Sequence, residues 1–263
     1  MTRYLTTPRR PDGASAPDRL RLFCFPYAGS GASGYAGWQS HLDPGIQVMP
    51  VQLPGREGRM GEPRFTDLPS LIVDLDRELG PELESPYVLF GHSMGALIAF
   101  ALAQRRLARG ATLPKALILS AYRAPHLQAP QLASPDAPEG ELIESLVRLG
   151  GIPQILLDHP DWLSALLPVA RDDLLLCSGP GPEVCERLPL PLYAFAGLHD
   201  ALVTPAEVEE WSRYASTHFS LRTLPGGHFY IREQEKRFFG ELNQLLAPLV
   251  ARTEAPALVG GSA

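Results

Sequence analysis

The chain has 263 residues, 45% of them hydrophobic, and a formal net charge of −6. That length suits one α/β domain with a sizeable core, and the acidic balance argues against a nucleic-acid partner, which needs a basic surface. Cys24, Cys177 and Cys185 fall in no CxxC or Cys/His array, so neither a disulfide framework nor a metal site is expected.

The first 18 residues have the Pro/Gly/Ala/Ser composition of a poorly ordered end. They lack the apolar stretch of a signal peptide, and no apolar run in the chain reaches membrane-spanning length. A cytoplasmic protein is expected. From there strands and helices alternate. RLFCF (21–25) reads as a buried strand and leads into the glycine-rich FPYAGSGASGY (25–35); QVMPVQL (47–53) follows as a second strand. LPSLIVDLDREL (68–79) places Leu68, Leu71, Ile72, Leu75 and Leu79 on one helical face. YVLF (87–90) is a strand that runs into Gly91-His92-Ser93-Met94-Gly95, after which a helix extends to about Leu107. ALILSAY (116–122), LYAFAG (192–197) and SLRTL (220–224) complete the strands, and AEVEEWSRYA (206–215) and IREQEKRFFGELNQLL (231–246) are amphipathic. Such alternation predicts a mostly parallel sheet covered by helices on both faces.

Residues 126–187 break the pattern. They are rich in Leu, read as helix, and carry Pro at 153, 160 and 168. Their position between the fourth and fifth strands favours a helical lid over the sheet edge. The expected plan is one domain over 19–248, with this insertion, a flexible start at 1–18 and a flexible tail at 249–263.

The Gly-x-Ser-x-Gly sits where a strand ends and a helix begins, which is the setting of a nucleophile elbow. The turn exposes the serine, and glycines at 91 and 95 remove side chains where the helix folds back on the strand. A serine hydroxyl needs a base and an orienting carboxylate, and in such folds they follow in the order Ser, Asp, His. Among the later histidines only His228 lies just after a strand, in LRTLPGGHFYI. Asp200 closes the fifth strand in LYAFAGLHDALVTP. Asp172 and Asp173 are rivals in order only, being inside the insertion, and Asp173→Asn is expected to be nearly silent. One oxyanion donor is expected at the N–H of Met94, and the other in the 25–35 loop, at Tyr27, Ala28 or Gly29.

FCFPYAGSGASGY, VQLPGREGR, GHSMGALIAF, LGGIP, GLHDALVTP and LPGGHFYI together resemble the type II thioesterases, stand-alone editing hydrolases of polyketide synthase and nonribosomal peptide synthetase pathways, within the α/β-hydrolase superfamily. The resemblance covers roughly residues 19–247. It implies Ser93 as nucleophile, Asp200 as acid, His228 as base, and the N–H groups of Ala28 and Met94 as oxyanion donors. One departure is visible: Gly29 is followed by Ser30, where the family often has a second glycine. The resemblance further implies a helical lid over an acyl pocket and a substrate held on the phosphopantetheine arm of an acyl or peptidyl carrier domain.

No cofactor, metal, nucleic acid or membrane enters this reading, and a monomer is expected. Trp162, Leu163, Leu166 and Leu167 form an apolar helical face and are the candidate lid lining. Carrier domains are usually acidic, so a local basic rim is expected, with Arg56, Arg59, Arg123 and Arg171 as candidates. A general carboxylesterase or acyltransferase with the same triad is the alternative enzyme reading. A ligand-binding protein on a hydrolase scaffold is the non-enzymatic one.

Overall fold

The computed structural model describes residues 2–6, 19–128, 136–152, 157–179 and 186–254, without the side chains of 160 and 252–254. Six strands, β1 (Leu20–Phe25), β2 (Ile46–Pro50), β3 (Tyr87–His92), β4 (Ala116–Ser120), β5 (Leu192–Gly197) and β6 (Phe219–Leu224), form one sheet in the order β2-β1-β3-β4-β5-β6. Every neighbouring pair is parallel.

Alternate side chains of each strand serve opposite faces. Phe23, Phe25, Leu89, Leu117 and Leu119 face a core shared with α1 (Leu68–Leu79) and α2 (Met94–Ala108). Leu22, Cys24, Val88, Phe90 and Ile118 face the other, shared with Trp38 and the long C-terminal helix. With both faces buried, the strands need apolar residues at nearly every position, as β1, β3 and β4 have. Helix α1 starts where Asp67 accepts the N–H of Ser70 at 2.8 Å.

The topology positions the site. From β1 the chain steps outward to β2, then crosses back over β1 to β3. The direction of winding therefore reverses between β1 and β3. Loops leaving the carboxyl ends of these two strands splay apart and leave a crevice, where ligands bind in open α/β sheets. The glycine-rich loop leaves β1 there, and the Gly-x-Ser-x-Gly turn leaves β3.

Two helices of the insertion lie within the described residues, α3 (Glu139–Arg148) and α4 (Pro160–Ser178). They carry a cluster of their own, including Leu142, Leu146, Leu167 and Leu174. Pro168 lies inside α4 rather than at its end. Its ring lacks the N–H that would bond the carbonyl of Ser164, an exposed residue.

Four expectations change at the ends of elements. Tyr4, expected in a loose N-terminus, is 1% exposed and donates its hydroxyl to Asp74 at 2.6 Å, while Leu5 bridges to Val51. The helix expected over 206–215 is α5 (Pro205–Glu209), continued as a tighter turn over Glu210–Tyr214. The one expected over 231–246 is a short α6 (Tyr230–Glu233) followed by α7 (Glu235–Glu254). Leu249 and Val250, placed in a flexible tail by composition, are buried on α7 because its apolar face continues past residue 248. Residues 7–18 and 255–263, Cys185 and the Pro153 turn lie outside the described residues.

Candidate active site

Ser93 connects β3 to α2 with φ 53° and ψ −124°. A non-glycine residue holds such angles only where its surroundings enforce them. Here two close backbone approaches do so. A methyl group on Gly91 would strike the carbonyl of Gly95, and one on Gly95 would strike the carbonyl of Phe25. The first glycine lets α2 fold back on β3. The second lets the end of β1, and with it the glycine-rich loop, lie against the start of α2.

His228 follows β6 and Asp200 follows β5. The Nε2 of His228 is 3.0 Å from the Ser93 hydroxyl, and its Nδ1 is 2.8 Å from Asp200 Oδ2. The other carboxylate oxygen accepts the N–H groups of Leu202 at 2.8 Å and Val203 at 3.2 Å. Asp200 and His228 are buried and Ser93 is half-buried, so the three form one relay opening toward a cavity. Such a relay can draw the proton from a serine hydroxyl as it attacks a carbonyl. Ala28 and Met94 flank the same cavity or its serine. Among the described residues neither N–H donates to a protein acceptor.

The cavity beside Ser93 is small, about 40 Å³, and its apolar wall includes Tyr122, Leu146, Leu174, Leu202 and Phe229. It shares Tyr27, Ala28, Leu146 and Gly151 with a larger groove of about 470 Å³ that runs out past Trp162, Leu166 and Arg232. Cys177 lies in the cavity wall, where burial, with the nearby Asp173 charge, pushes its thiol up to about 12. It stays protonated and unreactive.

Behind the relay is a second polar chain. His92 Nδ1 lies 2.8 Å from the Ser120 hydroxyl, which bonds in turn to the Tyr230 hydroxyl. Burial, with the nearby His228 and Arg232, pushes the His92 imidazole well below its ordinary value, so it is neutral.

The chain matches the thioesterase domain family over residues 20–246. It belongs to the thioesterase family. The Gramicidin S biosynthesis protein GrsT of Aneurinibacillus migulanus is 34% identical, over 88% of this chain and 92% of that one. Among solved structures, the RedJ thioesterase of the prodiginine biosynthetic pathway in Streptomyces coelicolor is 36% identical, with a TM-score of 0.82 over 87% of this chain and 91% of that one. The type II thioesterase BorB of the borrelidin biosynthetic cluster is 33% identical, with a TM-score of 0.79 over 88% and 94%.

A further relative, LgrE of Brevibacillus parabrevis, is 35% identical over 93% of each chain and is named as a linear gramicidin dehydrogenase. The loop of this thioesterase does have the G-x-G-x-x-G spacing of a dinucleotide fingerprint, at Gly29, Gly31 and Gly34. The structure gives it another use. The Glu57 carboxylate accepts the Ser33 N–H at 3.2 Å and the Ser33 hydroxyl, and it packs where a side chain on Gly31 would stand. A carboxylate there repels a pyrophosphate, and the loop leads into a single tight turn over Ala32–Tyr35 rather than a helix with an open N-terminus.

The lid and rim candidates divide. Trp162 lines the outer groove, Leu163 and Leu167 pack into the insertion's own cluster, and Leu166 does both. Arg56 and Arg59 are 5% and 9% exposed and form no rim. Arg56 holds Asp173 through two bonds of 2.7 Å. Arg59 bonds Glu62 and the Gln52 carbonyl and lies over the Tyr4 ring. Planar guanidinium groups with that many matched acceptors are structural pins. Arg123 is half-buried, paired with Glu207 at 3.2 Å and bonded to the Leu202 carbonyl; Arg171 is half-buried on α4. The cation beside the groove that sequence reasoning missed is Arg232, exposed, its guanidinium over the rings of Tyr27 and Phe229. Among the described residues no helix is long and apolar enough to cross a membrane, and no His/Cys/Asp/Glu cluster could hold a metal.

Proposed function

We propose that this thioesterase removes acyl groups from the phosphopantetheine arm of acyl or peptidyl carrier domains, as a free-standing editing enzyme, through an acyl ester on Ser93. The observation that carries this reading is the hydrogen-bonded relay from Ser93 through His228 to Asp200, opening into an apolar cavity that shares wall residues with an outer groove. The relatives' names supply the setting. BorB and YbtT are type II thioesterases, of a borrelidin cluster and of a yersiniabactin NRPS/PKS pathway.

The chemistry follows from the atoms in place. His228 Nε2 takes the Ser93 proton as Oγ attacks the thioester carbonyl. Charge gathers on the carbonyl oxygen, facing the N–H groups of Ala28 and Met94, each worth roughly 3–4 kcal/mol in sites of this kind. The C–S bond breaks and the thiol leaves with the proton from His228. Water then enters, gives a proton to His228, and attacks the acyl-serine. The ester C–O bond breaks, the free acid leaves, and Ser93 recovers its proton. Asp200 holds the imidazole with Nδ1 protonated throughout and stabilises its cation. Nucleophile, base and donors all come from the chain, so this reaction calls for no cofactor.

The outer groove, about 470 Å³, is the place for the pantetheine arm, and the inner cavity takes the acyl group. Arg232 beside the groove supplies positive charge toward an acidic carrier. The test is an intact-mass spectrum after mixing with acyl-loaded carrier protein. The expected result is a transient adduct of acyl mass, absent in Ser93→Ala. Hydrolysis of a matched oxygen ester as fast as the carrier thioester would overturn the assignment to carrier-borne substrates.

A further inference from the structure

Asp173 lies on α4 and is fully buried, at 0% exposure. Its Oδ2 accepts the backbone N–H of Gly29 at 2.8 Å and Arg56 Nη1 at 2.7 Å, and its Oδ1 accepts Arg56 Nη2 at 2.7 Å. Arg56 Nη1 also donates to the Ser30 carbonyl at 3.0 Å, and the Ser30 N–H closes a turn on the Tyr27 carbonyl at 3.0 Å. The turn 27–30 is thus bonded within itself and gripped from two other segments, the loop after β2 and the insertion helix. Leu166, Ala170 and Asp173 fall at i, i+4 and i+7 of α4, and the first two lie against Gly29. The neighbouring Asp172 pairs with Arg64, a second tie between α4 and the loop after β2.

We infer that Asp173 and Arg56 are positioning residues for the oxyanion site, holding the 27–30 turn so that the Ala28 N–H faces Ser93. The Ala28 N–H shares a planar peptide unit with the Tyr27 carbonyl, which accepts the Ser30 N–H, so holding the Gly29 N–H and the Ser30 carbonyl on either side of that bond holds the unit in place. An ionised carboxylate suits this task because it accepts three N–H bonds at once, charge-assisted and in a dry setting. An amide offers one acceptor oxygen. Asp173 belongs to α4, so the seating of that helix on the loop is part of what holds the donor.

The inference rests on Ala28 acting as a donor in the proposed reaction, and the experiment separates the two. Steady-state kinetics on a small acyl-thioester would be measured for wild type, Ser93→Ala, Asp173→Asn and Arg56→Lys. The inhibition constant of a trifluoromethyl ketone carrying the same acyl chain would be measured alongside, since its adduct with serine carries the oxyanion. Removing a donor outright costs about 10²–10³ in rate, so displacing one in Asp173→Asn is expected to lower kcat about tenfold or more. KM should stay within about twofold, and the ketone should weaken in step with kcat. Arg56→Lys keeps the charge and loses the two-point grip, so its loss should have the same form and be smaller. If Asp173→Asn does not fold, Arg56→Lys is read on the same scale. A folded variant with kcat and ketone affinity within about twofold of wild type, or one whose loss is all in KM, would overturn the inference. Retained turnover in Ser93→Ala would instead overturn the proposed function itself.

Discussion

One oxygen of Asp200 faces His228 Nδ1 at 2.8 Å, and the other is held by the backbone of Leu202 and Val203. The two oxygens do different work. Asp200→Asn can keep the backbone bonds through its amide oxygen, so the protein should fold with little change in Tm. It presents an NH₂ to the imidazole and favours the wrong tautomer. The expected loss in kcat is about 10⁴-fold. Kinetics on an acyl-thioester with a parallel melting curve checks both halves, and a loss under tenfold would move the orienting role elsewhere.

Gly95→Ala should destabilise strongly, by about 3 kcal/mol, because the new methyl meets the fixed carbonyl of Phe25 rather than a movable side chain. Gly140→Ala is the control. A methyl there meets open space in the first turn of α3, and the smaller backbone freedom of alanine should leave stability equal or up to about 1 kcal/mol higher. Urea melts of the two variants give the comparison. Equal effects would show that the close approach at the elbow is not rigid.

The architecture was legible in the sequence because buried parallel strands need unbroken apolar runs and amphipathic helices need a spaced stripe. Both are local patterns, and the six strands fall where the runs lie. Ser93, Asp200 and His228 were legible because each stands directly after a strand, and parallel strands bring such positions to one edge. The partnership of Arg56 with Asp173 was not. The two residues are 117 positions apart, and nothing local distinguishes an arginine that will be buried from one on a rim. Asp173, whose change to Asn is expected to be silent for an acid inside a helical insertion, is instead fully buried and bonded to Arg56 and the Gly29 N–H. The N- and C-terminal limits were misjudged for a related reason. Composition alone suggests loose ends, but Tyr4 and Leu249 are buried by partners far away in sequence.

His92 gives a pH dependence of stability with a definite sign. Its folded imidazole stays neutral well below the ordinary value of 6.5 that it regains on unfolding. Below about pH 6.5 the unfolded chain therefore binds a proton that the folded chain refuses, and stability falls as pH drops. Above that range the term vanishes. His92→Gln removes this proton, so between pH 6 and 5 its stability should fall less steeply than that of wild type, by up to about 1.4 kcal/mol per pH unit. Denaturant melts at half-unit pH steps measure the two slopes, and parallel slopes would show that His92 is protonated when folded.

Leu174 lines the small cavity beside Ser93. Leu174→Phe should shorten the acyl chain that fits. One lost methylene of space is worth about 1–3 kcal/mol, so kcat/KM for a medium-chain thioester should fall at least about tenfold relative to an acetyl thioester. Leu163→Phe, facing the insertion's own cluster, should lower stability without changing that ratio. The ratio of rates on the two substrates is the readout.

Arg232→Glu should slow turnover of acyl-carrier protein at least about tenfold more than turnover of a small acyl-thioester, and added salt should narrow the gap. Arg59→Glu should instead lower Tm and affect both substrates alike, since its guanidinium is spent on Glu62, Gln52 and the Tyr4 ring. Equal losses on carrier and small substrate for Arg232→Glu would take this arginine out of the docking surface.

The positive φ at Ser93 sets two selective demands against each other. Glycine alone takes φ 53°, ψ −124° without strain, so Ser93→Gly should melt at a higher temperature than wild type while doing no chemistry. Serine persists at this position against a standing thermodynamic preference, and only turnover opposes that preference. A gene copy released from its biosynthetic duty would therefore be expected to lose the nucleophile early, and its product would gain stability as it did so.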